Sequence, residues 1–322
     1  MEISVFNPIL SHLSFKEALE FLVSQGVTSL ELGCGGYPGT AHADARVLAS
    51  SASRLKELKD TLDAYGVKVC ALSVHGNPVH PDAAKAEQAR GDFEAACILA
   101  NKLEVDTLVT FSGCPGSPND NKYPNWVTCP WPEEYLEILN YQWNEVLIPY
   151  WKSATQFAKN AGVKHIALEM HPGFCVYNPE TLMRLRKAAG EMIGANFDPS
   201  HLIWQGIDPV LAIKTLGSAI YHFHAKDTAI DKYNTALNGV LDTKHYTDEL
   251  GRSWIFRTVG YGSDTVVWKE MISALSKVGY TGAISIEHED SLMTPVEGLK
   301  KAIKFIKGII IYEPKPSTIN WA

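Results

Sequence analysis

Short apolar runs alternate along the chain with longer stretches in which apolar residues return every three or four positions. The runs cover residues 3–6, 29–32, 67–74, 107–111, 165–170, 192–197, 219–224 and 283–286. Segments with helical spacing cover 15–25, 52–65, 84–103, 133–161, 179–189, 209–216 and 296–306. A short β-rich run followed by an amphipathic segment predicts a βα unit with parallel strands. Eight such runs in succession predict a closed (β/α)8 TIM barrel, with an open doubly wound sheet as the alternative. Small glycine turns stand between helix and next strand: Gln25-Gly26-Val27, Tyr65-Gly66-Val67, Ala161-Gly162-Val163 and Val278-Gly279-Tyr280. Glycine just past a helix supplies the left-handed cap conformation, so this punctuation supports the register.

With 322 residues, the chain suits one barrel, and 1–322 is expected to be a single domain. Three loops are long, at about 33–49, 112–132 and 226–267. They follow strands two, four and seven and so lie on the C-terminal face of a barrel, where active sites of this fold sit. Long loops without regular structure are usually functional.

Composition narrows the picture. Hydrophobic residues make up 46% and charged residues 20%, ordinary for a globular chain. A net charge of -7 argues against nucleic acid or an anionic membrane as partner, since both reward a basic surface. The start, Met-Glu-Ile-Ser-Val-Phe-Asn, lacks the basic opening and apolar run of a signal peptide. No apolar run reaches the roughly 18 residues of a membrane span. The six cysteines form no Cys-x-x-Cys pair and read as reduced thiols, so a cytoplasmic setting is expected.

Chemistry concentrates at the ends of the late strands. Strand five ends in Glu169-Met170-His171, strand six in Asp198-Pro199-Ser200-His201, strand seven in His222-Phe223-His224-Ala225-Lys226, and strand eight in Glu287-His288-Glu289-Asp290. Neighbouring strands lie about 4.8 Å apart, so side chains from adjacent ends can converge on one ion. Glu169, Asp198, His224 and Glu287 form a hard, mostly oxygen-donor set suited to one divalent ion: Mn first, with Co, Mg or Zn admissible. Each residue also has a simpler reading. Asp198 before Pro199 resembles a helix cap, His222 a hydrogen-bonded core histidine, and either glutamate the partner of an interior cation. Glu31 and His75, after strands two and three, read as pocket lining or polar rim.

Such a metal suggests removal of a proton beside a carbonyl, with an enediolate stabilised by the ion. Glu169 and Glu287 would serve the two faces of the substrate, and His171 is a further acid or base. His201, Lys226, Arg252, Arg257 and His75 are candidate contacts to substrate oxygens, although both arginines could instead tie down their own loop. Aromatics crowd the same loops, namely Tyr37, Trp126, Trp131, Trp204, Trp254, Phe256 and Tyr261; they could stack on rings or simply pack.

The ordered set Glu169, Asp198-Pro199-Ser200-His201, His222-Phe223-His224 and Glu287 resembles the xylose-isomerase-like TIM barrel superfamily, the sugar phosphate isomerase/epimerase family. So do Gly260-Tyr261-Gly262, Trp268 and Gly279-Tyr280-Thr281-Gly282. The resemblance covers nearly the whole chain. It implies that Glu169 and Glu287 both bind metal and shuttle the proton, that Asp198 and His224 are plain ligands, and that His201 contacts a substrate oxygen. His224-Ala225-Lys226-Asp227 is similar to inosose dehydratases rather than ketose 3-epimerases. Glu169 followed by His171 is similar to the catalytic subunit of C-glycoside deglycosidases.

The leading expectation is a metal-dependent isomerase or epimerase of a keto-sugar or sugar derivative. The first alternative is a lyase that eliminates a β-substituent from a 3-keto-glycoside or an inosose. A metal-dependent endonuclease is more distant, given the acidic charge, and a non-catalytic sugar-binding barrel is at odds with a full ligand set. The expected partner is a small carbohydrate, with a homo-oligomer or a small partner subunit left open.

Overall fold

The computed structural model describes residues 1–120 and 122–313. Asn121, in the second long loop, and the last stretch of the expected domain, 314–322, lie outside the described residues. In chain order the strands are β1 (Glu2–Phe6), β2 (Ser29–Gly33), β3 (Lys68–Ser73), β4 (Thr107–Phe111), β5 (His165–Glu169), β6 (Ile193–Phe197), β7 (Ile220–Ala225), β8 (Asp227–Ile230), β9 (Trp254–Arg257) and β10 (Ala283–Ile286). Eight close into a barrel in the order β1–β10–β7–β6–β5–β4–β3–β2, every neighbouring pair parallel. β10 is therefore the eighth barrel strand, and each barrel strand falls on one of the eight apolar runs.

The helices are α1 (Phe15–Ser24), α2 (Ala45–Ser50), α3 (Ala52–Tyr65), α4 (Ala83–Leu103), α5 (Glu134–Tyr141), α6 (Ile148–Asn160), α7 (Pro179–Ala189), α8 (Pro199–Ile203), α9 (Pro209–Leu216), α10 (Lys232–Asn238), α11 (Thr265–Lys277) and α12 (Pro295–Lys307). Their starts follow capping chemistry. Ser14 and Glu17 form a reciprocal capping box at α1, and the Asp82 carboxylate accepts from the Ala84 and Lys85 amides at α4. α3 ends on Gly66, whose φ of 63° a side chain would resist. The helical stretch read at 133–161 is α5 and α6 joined by a π-helical segment, Gln142–Leu147. There the Gln142 amide donates to the carbonyls of Pro115, Gly116 and Asn125, so the helix holds the loop after β4.

Barrel interiors are usually filled by branched apolar residues. Here a small apolar layer, Ala71, Val109 and Ala167, is present with Cys70 and Tyr221 against it. The neighbouring interior positions are polar: Glu31, Ser73, Asn196, His222, His224 and Ser285 are all buried. Two pairings slip by one residue, β2–β3 between Leu30 and Glu31 and β6–β7 between Ala195 and Asn196. Such irregularities re-aim side chains, and both adjoin the polar layer.

The long segment 226–267 differs from the irregular loop read in the sequence. It carries the antiparallel pair β8–β9 and helix α10, and α11 begins within it. The pair folds because Asp227, buried at its root, accepts from the amides of Thr228, Gly260, Gly262 and Ser263 and from the Trp268 indole, at 2.9–3.1 Å. The loop after β2 likewise contains α2, capped by Asp44.

Candidate metal centre and active site

Glu169 is the last residue of β5, His224 lies near the end of β7, and Asp198 and Glu287 directly follow β6 and β10. One donor atom from each lies within 4.8 Å of the other three. His224 Nδ1 stands 3.0 Å from Glu287 Oε2 and 3.3 Å from Glu169 Oε2. Asp198 divides its oxygens. Oδ1 accepts from the Ser200 amide at 2.8 Å and caps α8, while Oδ2 makes no hydrogen bond. The capping reading of Asp198 thus accounts for one oxygen and leaves the other.

Asp198 Oδ2, His224 Nδ1 and Glu287 Oε2 are all buried and without a hydrogen-bond partner. Buried polar atoms without hydrogen bonds are costly; the Lys226 ammonium stands 3.1 and 3.0 Å from the two oxygens, and the gathered donors suit a further cation. Three carboxylates and one imidazole are the donor chemistry of Mn, Co or Mg, with Zn admissible. The residues fit a divalent ion.

Glu169 is the most heavily held of the four. His75 Nε2 and Asn196 Nδ2 donate to its Oε2 at 3.2 and 3.1 Å, and His201 Nε2 stands 3.1 Å from its Oε1. Burial pushes this carboxyl up, but the His201, His224 and His75 imidazoles against it outweigh burial and hold it well below the usual carboxylate range. Burial is likewise opposed at Glu287, where the Lys226 and His224 charges bring the carboxyl to about 2. At Asp198 burial wins over the Lys226 ammonium and, with the Glu169 and Glu287 charges, lifts the carboxyl to about 7.

Lys226 is buried beside this cluster. Its ammonium lies 3.1 Å from Asp198 Oδ2, 3.0 Å from Glu287 Oε2, 3.3 Å from Glu289 Oε2 and 3.2 Å from His201 Nε2. Burial opposes its charge, yet Asp198, Glu287 and Glu289 raise it well above the ordinary lysine value. Burial, with the neighbouring His171 and the Lys226 ammonium, lowers His201 well below the ordinary histidine value. His171 is also lowered by burial. Its Nδ1 donates to the Pro172 carbonyl at 2.6 Å, so Nε2 is the nitrogen that can take up a proton. One atom each of Glu169, His171 and His201 lies within 4.8 Å of the other two.

A cavity of about 390 Å³ opens over the centre, in the range of small-molecule sites. Glu169, Glu287, His75, His171 and Lys226 line it, with Tyr37, Phe111 and Phe6 as apolar walls. His201 sits behind Glu169 and does not line it.

The two arginines are elsewhere. Arg252 donates to the carbonyls of Trp254 and Lys244 and lies over the Tyr246 and Trp254 rings at 4.3 and 4.6 Å. Arg257 pairs with Glu249 at 2.5 Å and approaches Asp290 at 3.5 Å. Neither guanidinium lines the cavity, and of the two readings for Arg252 and Arg257 the contacts match the holding of their own loop. Most of the singled-out aromatics also pack: Trp204 and Trp254 stack at 4.3 Å, and Trp126 meets Tyr177 edge-on at 5.5 Å. Among those seven, Tyr37 is the one that lines the cavity over the centre.

Residues that the sequence left unassigned complete the site. Asn196 holds Glu169, and Glu289 shares Lys226 and lines the cavity. Glu31 is neither rim nor pocket lining. It is wholly buried beneath His224, which reaches it through Nε2 at 2.8 Å. His222 is the hydrogen-bonded core histidine of the simpler reading, 2.8 Å from the same carboxylate. A Leu-Glu-Leu strand end carries no local sign of that role.

The fold and the ordered site define a xylose isomerase-like TIM barrel. The chain belongs to that family, which matches residues 19–309. It is 41% identical over 312 residues to the uncharacterized protein YfiH of Bacillus subtilis (strain 168), covering 96% of this chain and 99% of that protein. It is 26% identical over 146 residues to inosose dehydratase 2 of Bacillus cereus, covering 44% of this chain and 47% of the relative. The crystal structure of the IOLI protein, which holds a zinc atom, superposes with a TM-score of 0.66 at 18% identity, covering 96% of this chain and 98% of that one. The same fold occurs in a probable 3-DHS dehydratase and a D-psicose 3-epimerase. Among the described residues no helix is long and apolar enough to cross a membrane, and all six cysteines are free.

Proposed function

We propose that the protein is a divalent-metal-dependent isomerase or epimerase that removes the proton beside a carbonyl of a keto-sugar or sugar derivative. The observation that carries the reading is the pair Glu169 and Glu287, which meet the same His224 nitrogen at 3.3 and 3.0 Å and both line the cavity. Mn, Co, Mg or Zn held by Glu169, Asp198, His224 and Glu287 would polarise the substrate carbonyl as a Lewis acid. Glu169, kept ionised by its donors, takes the proton at its carboxylate. Glu287 holds the other side and returns one there, which is what epimerisation requires. His75 and His201 fix Glu169, and the Lys226 ammonium stands ready for charge developing on a substrate oxygen.

The test is solvent exchange. The metal-loaded protein is incubated in D₂O with ketohexoses, inososes and 3-keto-glycosides, and deuterium beside the carbonyl is read by NMR. Exchange that disappears in Glu169→Gln supports the reading. Absence of exchange across the whole panel overturns it.

One observation favours β-elimination as a second reading. His171 presents a neutral imidazole to the cavity with its Nδ1 proton fixed, a base independent of the metal ligands. The relationship to an inosose dehydratase points the same way. The same samples separate the two: a lyase releases water or an aglycone and leaves an unsaturated ketone, whereas an epimerase returns an isomer of the same mass.

A further inference from the structure

Glu31 is fully buried in the barrel interior, and the proton-transfer chemistry above does not use it. Four side chains from three strands point at its two oxygens. Ser73 of β3 donates to Oε1, and Ser285 of β10 donates to Oε2 at 2.5 Å. From β7, His222 Nε2 lies 2.8 Å from Oε2, and His224 Nε2 lies 2.8 and 3.0 Å from the two oxygens. A carboxylate offers about four lone-pair sites, so this one is fully used. Glu31, His222 and His224 also bring donor atoms within 4.8 Å of one another, as a metal site would. Saturation of the carboxylate by hydrogen-bond donors argues against a second ion there.

We infer that Glu31 is a positioning residue that fixes the tautomer of His224 and aims its Nδ1 lone pair at the candidate metal centre. An ionised carboxylate only accepts. The His224 nitrogen facing it must therefore carry a proton, and Nδ1, on the opposite edge among the candidate ligands, is the nitrogen an ion would take. Nδ1 faces Glu287 Oε2 and Glu169 Oε2 at 3.0 and 3.3 Å. A carboxylate behind a ligating imidazole sets ring orientation and basicity, and removing it costs roughly 10–100-fold in metal affinity. The inference rests on the metal reading of His224 above.

Glu31→Gln tests it. Its amide can donate to His224 Nε2 and favour the wrong tautomer while keeping volume. Zinc affinity is measured by competition with a chromophoric chelator, and thermal midpoints of the metal-free proteins are measured in parallel. Zinc-loaded protein with ¹⁵N-labelled histidine is examined by NMR. The expected result is zinc binding weaker by about 10–100-fold in Glu31→Gln, with a protonated Nε2 and a metal-shifted Nδ1 for His224 in the wild type. Should Glu31→Gln not fold, Ser285→Ala keeps the carboxylate, removes one anchor and is expected to weaken zinc by about fivefold. Unchanged zinc affinity beside a lowered thermal midpoint, or a ring proton on Nδ1 in the wild type, overturns the inference and leaves the metal reading intact. A wild type that takes up no zinc, manganese or cobalt overturns the metal reading, and this inference with it.

Discussion

Glu31 lies on the Nε2 side of the His224 ring, inside the barrel, and Glu287 on the Nδ1 side, at its mouth. Around Glu31 every oxygen meets a hydroxyl or imidazole N–H, supplied by β3, β7 and β10. On the other side, Asp198 Oδ2, Glu287 Oε2 and His224 Nδ1 find no hydrogen bond, and Lys226 supplies charge without the geometry of one. The same residue type is buried in both places. Completed donors make one carboxylate a framework piece, and their lack makes the others a candidate ligand set. Burial alone therefore does not mark a functional carboxylate; the unsatisfied atom does.

The contrast breaks most sharply at the open side. Glu169→Gln and Glu287→Gln are each expected to lower the proton-exchange rate by about 10³-fold and to abolish the metal content found by elemental analysis, with the fold retained by circular dichroism. Full exchange in either variant would remove that residue from the proposed chemistry. The closed side should respond in stability instead. Glu31→Ala strands four donors and is expected to cost about 3–5 kcal/mol in urea denaturation of the metal-free protein. Asp198→Asn keeps the cap and should stay within about 1 kcal/mol of wild type. Equal losses would erase the distinction between the two sides.

Two smaller effects extend the comparison to the loop after β7. Asp227, like Glu31, is a saturated carboxylate. Asp227→Ala should destabilise by about 3 kcal/mol and expose the 258–263 segment to faster amide exchange. Arg257→Ala should cost about 1 kcal/mol and leave the substrate KM within about twofold, because its guanidinium is engaged by Glu249. A large rise in KM would restore it as a substrate contact.

Sequence and structure part company along the same line. The convergence of Glu169, Asp198, His224 and Glu287 was legible because consecutive parallel strands of a barrel deliver their C-terminal ends to one rim. Local order then becomes spatial order. The placement of His171 and Lys226 beside them was legible for the same reason, since both lie within two residues of those ends. Arg252 and Arg257 were left between substrate contact and holding their own loop because a charge in a long loop carries no direction. Only the pairing of Asp227–Ile230 with Trp254–Arg257 turns them onto their own loop. That pairing was hidden because both strands are four residues long and far apart in the chain.

What the sequence determined by itself was the repeating βα order, the helix caps and the chemistry presented at each strand end, all of which depend on neighbours within a turn or a strand. What the tertiary structure decided was which buried groups are satisfied. Glu31 finds His222 and His224 across 191 and 193 residues of chain, and Glu169 finds His75 across 94. Those meetings follow from barrel closure and from the one-residue slips at β2–β3 and β6–β7, neither of which leaves a periodic trace in the sequence.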